Sequence, residues 1–210
     1  MQLKNLNRPL PDLLNYIWEK ILTIVWSFYL SKVGKGLHLS RGAKIRGGKH
    51  IIIGENFQCG PNVWIEAVKY HMDIEYFPKI HIGEMVRFSD NVHLACTNKI
   101  IIGANVLIGS NVHITDHSHG IYTGKNQDDP ELLAPVLRAL SNDKEVIIEN
   151  NVWLGDGVIV LPGVRIGRGS IIGANSVVTK SIAENVIAVG SPAVPIKMYN
   201  KKLKEWVTII

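Results

Sequence analysis

Residues 111–119, NVHITDHSH, gather three histidines and one aspartate into a single short stretch: His113, Asp116, His117 and His119. A hydroxyl group is a poor nucleophile at neutral pH. An imidazole, with an unperturbed pKa of about 6.5, can take its proton as it attacks. Asp116 could orient either His117 or His119 through the ring nitrogen that does not react, and could equally cap a turn. Neither Cys59 nor Cys96 lies in a visibly activated setting, which disfavours a covalent route through a thiolate.

The element that must carry these residues is a repeat. Ile148, Leu154, Val160, Ile166, Ile172 and Val178 are spaced six residues apart, and Gly follows at Leu154-Gly155, Ile166-Gly167 and Ile172-Gly173. The same step returns upstream in triplets: Ile102, Ile108 and Ile114; Ile82, Phe88 and Leu94; Ile53, Cys59 and Ile65; and Leu39, Ile45 and Ile51. Helices need apolar spacings of three and four, and hairpins need longer alternating runs, so neither explains this period. Three short strands separated by turns make one coil of a triangular prism, so the expected fold is an all-β solenoid, a parallel β-helix. Periodicity does not give its hand.

Three segments interrupt the repeat. Residues 9–33 are helix-like, with Trp18, Trp26, Phe28 and Tyr29, but Glu19 and Lys20 break an apolar run already too short to span a bilayer. A helix packed on the first coil or across a subunit boundary is preferred there over an interfacial membrane helix. Residues 66–80 and 120–145 read as loop excursions from the prism, suited to specificity or to packing between subunits. The resulting division is an N-terminal helical segment 1–36, a β-helix 37–190 and a closing segment 191–210 with a short C-terminal helix.

The chain of 210 residues is 46% hydrophobic, enough for one substantial core, and its net charge of +5 favours anionic partners. No basic block interleaves with aromatics, so nucleic acid is not an expected partner. Two cysteines without a disulfide framework and a start, MQLKNLNRPLPDLL, without signal-peptide features point to the cytoplasm.

The block NVWLGDGVIVLPGVRIGRGSIIGANSVVTK followed by VGSPAVPIK closely resembles the hexapeptide-repeat acetyltransferases, among them galactoside, maltose and bacterial polysaccharide O-acetyltransferases, over roughly residues 80–200. The resemblance implies a left-handed β-helix, a homotrimer with active sites between subunits, and acetyl transfer from acetyl-CoA to a sugar hydroxyl without a metal. Counted from Asn111-Val112, the family's histidine at the mouth of a long loop falls on His119, with His117 two residues away as the alternative. Asn91 matches an asparagine that helps hold the acceptor in galactoside-type relatives, and is equally a corner residue; His93 would line the same cleft.

For the co-substrate, the resemblance places Trp153 beside the pantetheine arm and a backbone N–H near Asp156 at the thioester oxyanion. Ala174, Thr179 and Lys180 would line the coenzyme groove, and Lys197 stands where relatives use an arginine near the phosphates. Val194 replaces another basic residue, shifting phosphate anchoring to Lys180, Lys197 or Arg168. The stretch DHSHGIY and the loop after it resemble the polysaccharide-acetylating subgroup more than serine or antibiotic acetylating relatives, which implies a surface polysaccharide, O-antigen or precursor as acceptor. A lipid-linked glycan would bring the enzyme to the inner face of the membrane, with the N-terminal segment touching it.

Two other functions suit the same solenoid. A γ-type carbonic anhydrase needs three histidines converging on zinc, whereas His113, His117 and His119 crowd one segment. A non-enzymatic scaffold or binding subunit would have no use for a loop-mouth histidine together with Trp153, and would not bind coenzyme A.

Overall fold

The computed structural model describes residues 9–209. Three parallel sheets form the faces of a prism, and each coil passes through face A, then B, then C. Face A carries Ile51–Ile53, Lys79–Ile82, Lys99–Ile102 and Glu145–Ile148, with shorter strands at both ends. Face B carries, among others, Gln58–Cys59, Arg87–Phe88, Leu107–Ile108, Trp153–Leu154 and Ile171–Ile172. Face C carries Lys44–Arg46, Trp64–Ala67, His93–Cys96, His113–Thr115, Ile159–Val160 and Val177–Val178.

The six-residue period maps onto this geometry because a strand alternates its side chains and each coil repeats at the same angular position. On face A, Ile53, Ile82, Ile102, Ile148 and Ile166 stack in register. Leu39, Cys59, Phe88, Ile108, Leu154 and Ile172 do so on face B, and Ile45, Ile65, Leu94, Ile114, Val160 and Val178 on face C. All are buried. Cys59 is a core residue, and burial pushes its thiol up to about 11.

Asparagines turn the corners. Asn56, Asn62, Asn91, Asn105, Asn111 and Asn175 all adopt left-handed backbone angles, with φ near 57–60°. Glycine is demanded where coils touch: a Cβ on Gly54 would lie 2.6 Å from the carbonyl carbon of Gly83 in the next coil.

The first interruption is a helix, α1, spanning Leu10–Tyr29, and strand pairing begins directly after it at Lys32. The first excursion leaves face C after Ala67, forms the small hairpin Tyr70–His71 and Ile74–Glu75, and rejoins face A at Lys79. The second leaves after Thr115 and rejoins at Glu145. Tyr76 of the first locks onto Leu140 of the second: its hydroxyl donates to the Leu140 carbonyl at 3.2 Å and accepts from its N–H at 3.0 Å. Arg138 braces the second from within, donating to the Leu133 carbonyl and the Tyr122 hydroxyl.

The closing segment corrects one expectation. Instead of a short C-terminal helix, Val186–Gly190, Ala193–Asn200 and Glu205–Thr208 form an antiparallel extension of face B. Pro192 and Pro195 cannot serve a helix interior, and the β-branched run Val194, Ile196, Val207 and Thr208 favours strands. Pro195 pairs with Ala188 where the register shifts between Ile187 and Ala188, an irregularity of the kind at which strands tolerate proline.

Candidate functional site

Asp116 is the fixed point of the site. It follows the last strand residue of its coil on face C, and its carboxylate turns inward and is fully buried. Oδ1 accepts the N–H of Thr97 at 2.9 Å, and Oδ2 accepts those of Asn98 at 2.9 Å and Lys99 at 2.7 Å. The Cys96 thiol donates as well, while the Thr97 hydroxyl gives its proton to the Ser141 carbonyl at 2.9 Å. Burial alone would raise the carboxyl's pKa. His117 and the backbone N–H groups of Thr97 and Asn98 outweigh it, so the group lies below the usual carboxylate range and is ionised.

An ionised carboxylate only accepts hydrogen bonds, and His117 Nδ1 lies 2.9 Å from Asp116 Oδ1. Nδ1 therefore carries the proton and, in the neutral ring, Nε2 holds a lone pair. The His117 side chain is 11% exposed, held yet reachable. The same carboxylate disposes of Cys96: burial first, then the negative charge of Asp116, push its thiol far above its ordinary value.

His119 is arranged differently. It is exposed, and its ring meets His71 edge-on at 5.2 Å between centroids. No carboxylate pairs with it among the described residues. Burial, then the neighbouring His71 and His117, lower its pKa. Its carbonyl accepts the Tyr122 hydroxyl, so its backbone helps to hold the second excursion.

Above this pair runs a ladder of rings on the outer side of face C. Trp64, His93 and His113 stand in register. Trp64 and His93 stack at 4.3 Å with 12° between planes, and His93 to His113 is 4.9 Å. Burial, then the charges of His113 and His117, push His93 down to about 4. His93 Nε2 and Trp64 Nε1 are buried without hydrogen-bond partners among the described residues, as is His71 Nε2. The imidazoles thus stack and stagger instead of converging, and no group of His, Cys, Asp or Glu able to hold a metal ion occurs among the described residues.

Two cavities meet at His117. One, of about 530 Å³, is lined by Arg46, Glu66, His71, His93, His113 and His119, together with His117. The other, of about 630 Å³, follows the edge between faces C and A from His117 past Leu161 and Pro162 to Thr179. His117 lines both; His119 lines only the first.

The remaining residues singled out by sequence fall elsewhere on the prism. Asn91 sits at the corner between faces B and C, with φ 57°, donating from Nδ2 to Asn111 Oδ1 at 3.0 Å, and does not line either cavity. Trp153 stands on the outer side of face B, 49% exposed, between Leu107 and Ile171 in register. Asp156 and Ala174 are exposed at the corner between faces B and C; the Asp156 carboxylate accepts the Ser110 N–H at 2.7 Å, stitching two coils. Lys197 lies on the antiparallel extension of face B, opposite Ile187. Lys180 follows Thr179 at the edge between faces C and A and is exposed. Candidate coenzyme residues therefore divide between the edge joining faces C and A and the side formed by face B and its corner with face C.

Sequence reasoning missed Thr97, Tyr76, Trp64 and His71. Thr97 and its neighbours act through backbone N–H groups, which no residue type announces. Tyr76 and His71 come to the site only because the first excursion folds back onto the second. Trp64 was visible as an aromatic two coils ahead of His113, in the same phase of the repeat.

Comparison with known proteins agrees with this architecture. Residues 145–180 match the model for the bacterial transferase hexapeptide, six repeats, and residues 99–126 match the hexapeptide repeat of succinyl-transferase. The putative lipopolysaccharide biosynthesis O-acetyl transferase WbbJ of Escherichia coli (strain K12) is 39% identical over 162 residues, 77% of this chain and 79% of that protein. The galactoside O-acetyltransferase of the same strain is 34% identical over 147 residues, 70% of this chain and 66% of that protein. A crystal structure of a galactoside acetyltransferase in complex with coenzyme A superposes with a TM-score of 0.54 at 25% identity, covering 94% of this chain and 86% of that one. The N-acyltransferase AntD of Bacillus cereus, solved with dTDP and 3-hydroxybutyryl-CoA, shares the fold with a TM-score of 0.67 at 22% identity, covering 86% of this chain and 89% of that one. With its six-residue ladders, its loop-mouth Asp–His pair and these relatives, the chain belongs to the hexapeptide-repeat acetyltransferases and has their left-handed parallel β-helix.

Proposed function

We propose that this protein is an acetyl-CoA-dependent O-acetyltransferase acting in the cytoplasm on a sugar hydroxyl of a surface polysaccharide, an O-antigen or its precursor, with His117 as general base. The observation that carries this reading is the position of His117 at the junction of the two cavities, with Nδ1 held by an ionised Asp116. The relatives support the substrate classes: one is named for lipopolysaccharide biosynthesis, and another was solved with coenzyme A.

In the proposed reaction the sugar occupies the imidazole-lined cavity and the pantetheine arm the cavity leading to Thr179. Nε2 of His117 takes the hydroxyl proton while the oxygen attacks the acetyl carbonyl carbon. The tetrahedral intermediate collapses with cleavage of the C–S bond, and the imidazolium returns its proton to the departing thiolate, giving the acetyl ester and free coenzyme A. Asp116 keeps Nδ1 protonated and stabilises the imidazolium without itself taking the proton. His119, with no carboxylate partner among the described residues and no place in the lining of the second cavity, serves the acceptor side beside His71. This reading reverses the order of the two histidines expected from counting along the motif.

The division of coenzyme residues between the C/A edge and the side formed by face B and its corner with face C supports a homotrimer with shared sites. One protomer brings His117, Thr179 and Lys180, and its neighbour brings Trp153, Lys197, Ala174 and the backbone around Asp156, where a developing oxyanion would be met. Asn91, on the same corner as Asp156, would reach the acceptor from that neighbouring side.

The experiment is acceptor-dependent release of free thiol from acetyl-CoA across sugar nucleotides and glycan precursors, alongside coenzyme A binding by calorimetry. Thiol release with at least one sugar acceptor is expected. Absence of coenzyme binding would overturn the reading in favour of a scaffold.

A further inference from the structure

Helix α1 meets the first coil through Glu19 and Thr23, with Trp26 packed against the core. Thr23, its one buried residue, uses its hydroxyl to accept the Leu39 N–H at 3.1 Å. Glu19 accepts the Arg41 N–H at 3.2 Å and lies 3.6 Å from His38. These polar groups tie the helix to the first coil, whereas a surface helix usually buries its apolar stripe.

The apolar stripe is left facing outward. At about 100° per residue, Leu14, Ile17, Trp18, Ile21, Val25 and Phe28 fall on one arc, and every one is exposed, Phe28 by 85%. The arc runs the length of a 20-residue helix, about 30 Å. It is broader than the narrow seam of a coiled coil and carries aromatic residues. Among the described residues no helix is long and apolar enough to cross a membrane.

Charge identifies the occupant. Between Lys20 and Gly54 the chain carries Lys20, Lys32, Lys35, Arg41, Lys44, Arg46 and Lys49 and no Asp or Glu. All seven are exposed, and only Arg46 has a carboxylate partner, Glu66, among the described residues. A second copy of the chain placed on the stripe by two-fold symmetry would bring this basic coil against itself. An anionic lipid surface would accept both the stripe and the charge.

We propose that α1 and the first coil form a membrane-docking surface for anionic lipid, with the stripe lying in the interfacial plane and the lysines and arginines at the headgroups. Arg46 belongs both to this basic coil and to the wall of the imidazole-lined cavity, so docking sets that cavity near the membrane. The inference rests on the helix and first coil alone, independently of acetyl transfer.

The test is flotation of the full chain with vesicles of phosphatidylcholine alone and of phosphatidylcholine with phosphatidylglycerol. Wild type is expected to float with the anionic vesicles and to be released by high salt. A variant carrying Ile17→Ser and Ile21→Ser is expected to bind at least about tenfold more weakly, and one carrying Lys32→Glu and Lys35→Glu to lose the preference for anionic lipid. Both variants should keep the wild-type melting temperature and coenzyme A affinity, since all four side chains are exposed and outside the candidate site. Wild type remaining unbound, equal binding to both vesicle types, or unchanged binding by the Ile17/Ile21 variant would overturn the proposal. So would a change of oligomeric state in that variant without vesicle binding, which would assign the stripe to a second copy.

Discussion

For the single residue, the proposed chemistry turns on which nitrogen of His117 carries the proton. Asp116 fixes this through its charge, and its charge is fixed by the N–H groups of Thr97, Asn98 and Lys99. Asp116→Asn would keep the shape but could donate to Nδ1, reversing the tautomer and removing the base. Its turnover is expected to fall by a factor of roughly 10³–10⁴ with coenzyme affinity unchanged. His93 makes a separate prediction about pH. Its pKa is near 4 when folded and near 6.5 when unfolded, so between these values the unfolded chain binds a proton the folded one does not. Stability therefore falls as pH drops from about 6.5 towards 4, and His93→Gln should flatten that slope in melting experiments across the same window. A slope unchanged in the variant would show that His93 is not the group being titrated.

The elements around these residues were unequally legible. The inward ladders were readable because residue type and period agree at every coil, from Leu39 to Val178. Shortening one side chain tests them directly: Ile108→Ala, in the middle of face B, should cost about 2–5 kcal/mol in denaturant unfolding. The two excursions were visible as breaks in the repeat, but not what holds them. Tyr76 ties them together through two hydrogen bonds to one residue 64 positions away, which no local pattern records. Tyr76→Phe would leave the Leu140 N–H and carbonyl buried without partners, at a cost of about 1–3 kcal/mol. Because Leu140 lines both cavities, the acceptor KM should rise as well. The C-terminal segment is strand where a short helix was expected, as Pro192, Pro195 and its β-branched residues favour. The motif singles out both His117 and His119, but not which of them is held by a carboxylate, since burial of Asp116 and the direction of its side chain depend on the neighbouring coil.

On the scale of the whole molecule, the coenzyme residues are spread around a prism of stacked coils, and the proposed site draws on neighbouring prisms. The proposed sharing of sites has a consequence that a self-contained protomer does not. His117→Ala and Trp153→Ala chains, each expected to be nearly inactive alone, should regain turnover when co-assembled, because some interfaces then combine an intact His117 with an intact Trp153. Failure to regain it in verified mixed oligomers would place the whole site within one protomer. The most direct test of the central claim is thiol release from acetyl-CoA, with a productive sugar acceptor, by wild type, His117→Ala and His119→Ala. The account predicts a loss of about 10²–10⁴ in turnover for His117→Ala with coenzyme binding intact, and a smaller loss for His119→Ala seen mainly in acceptor KM. Undiminished turnover in His117→Ala, with loss in His119→Ala instead, would contradict it.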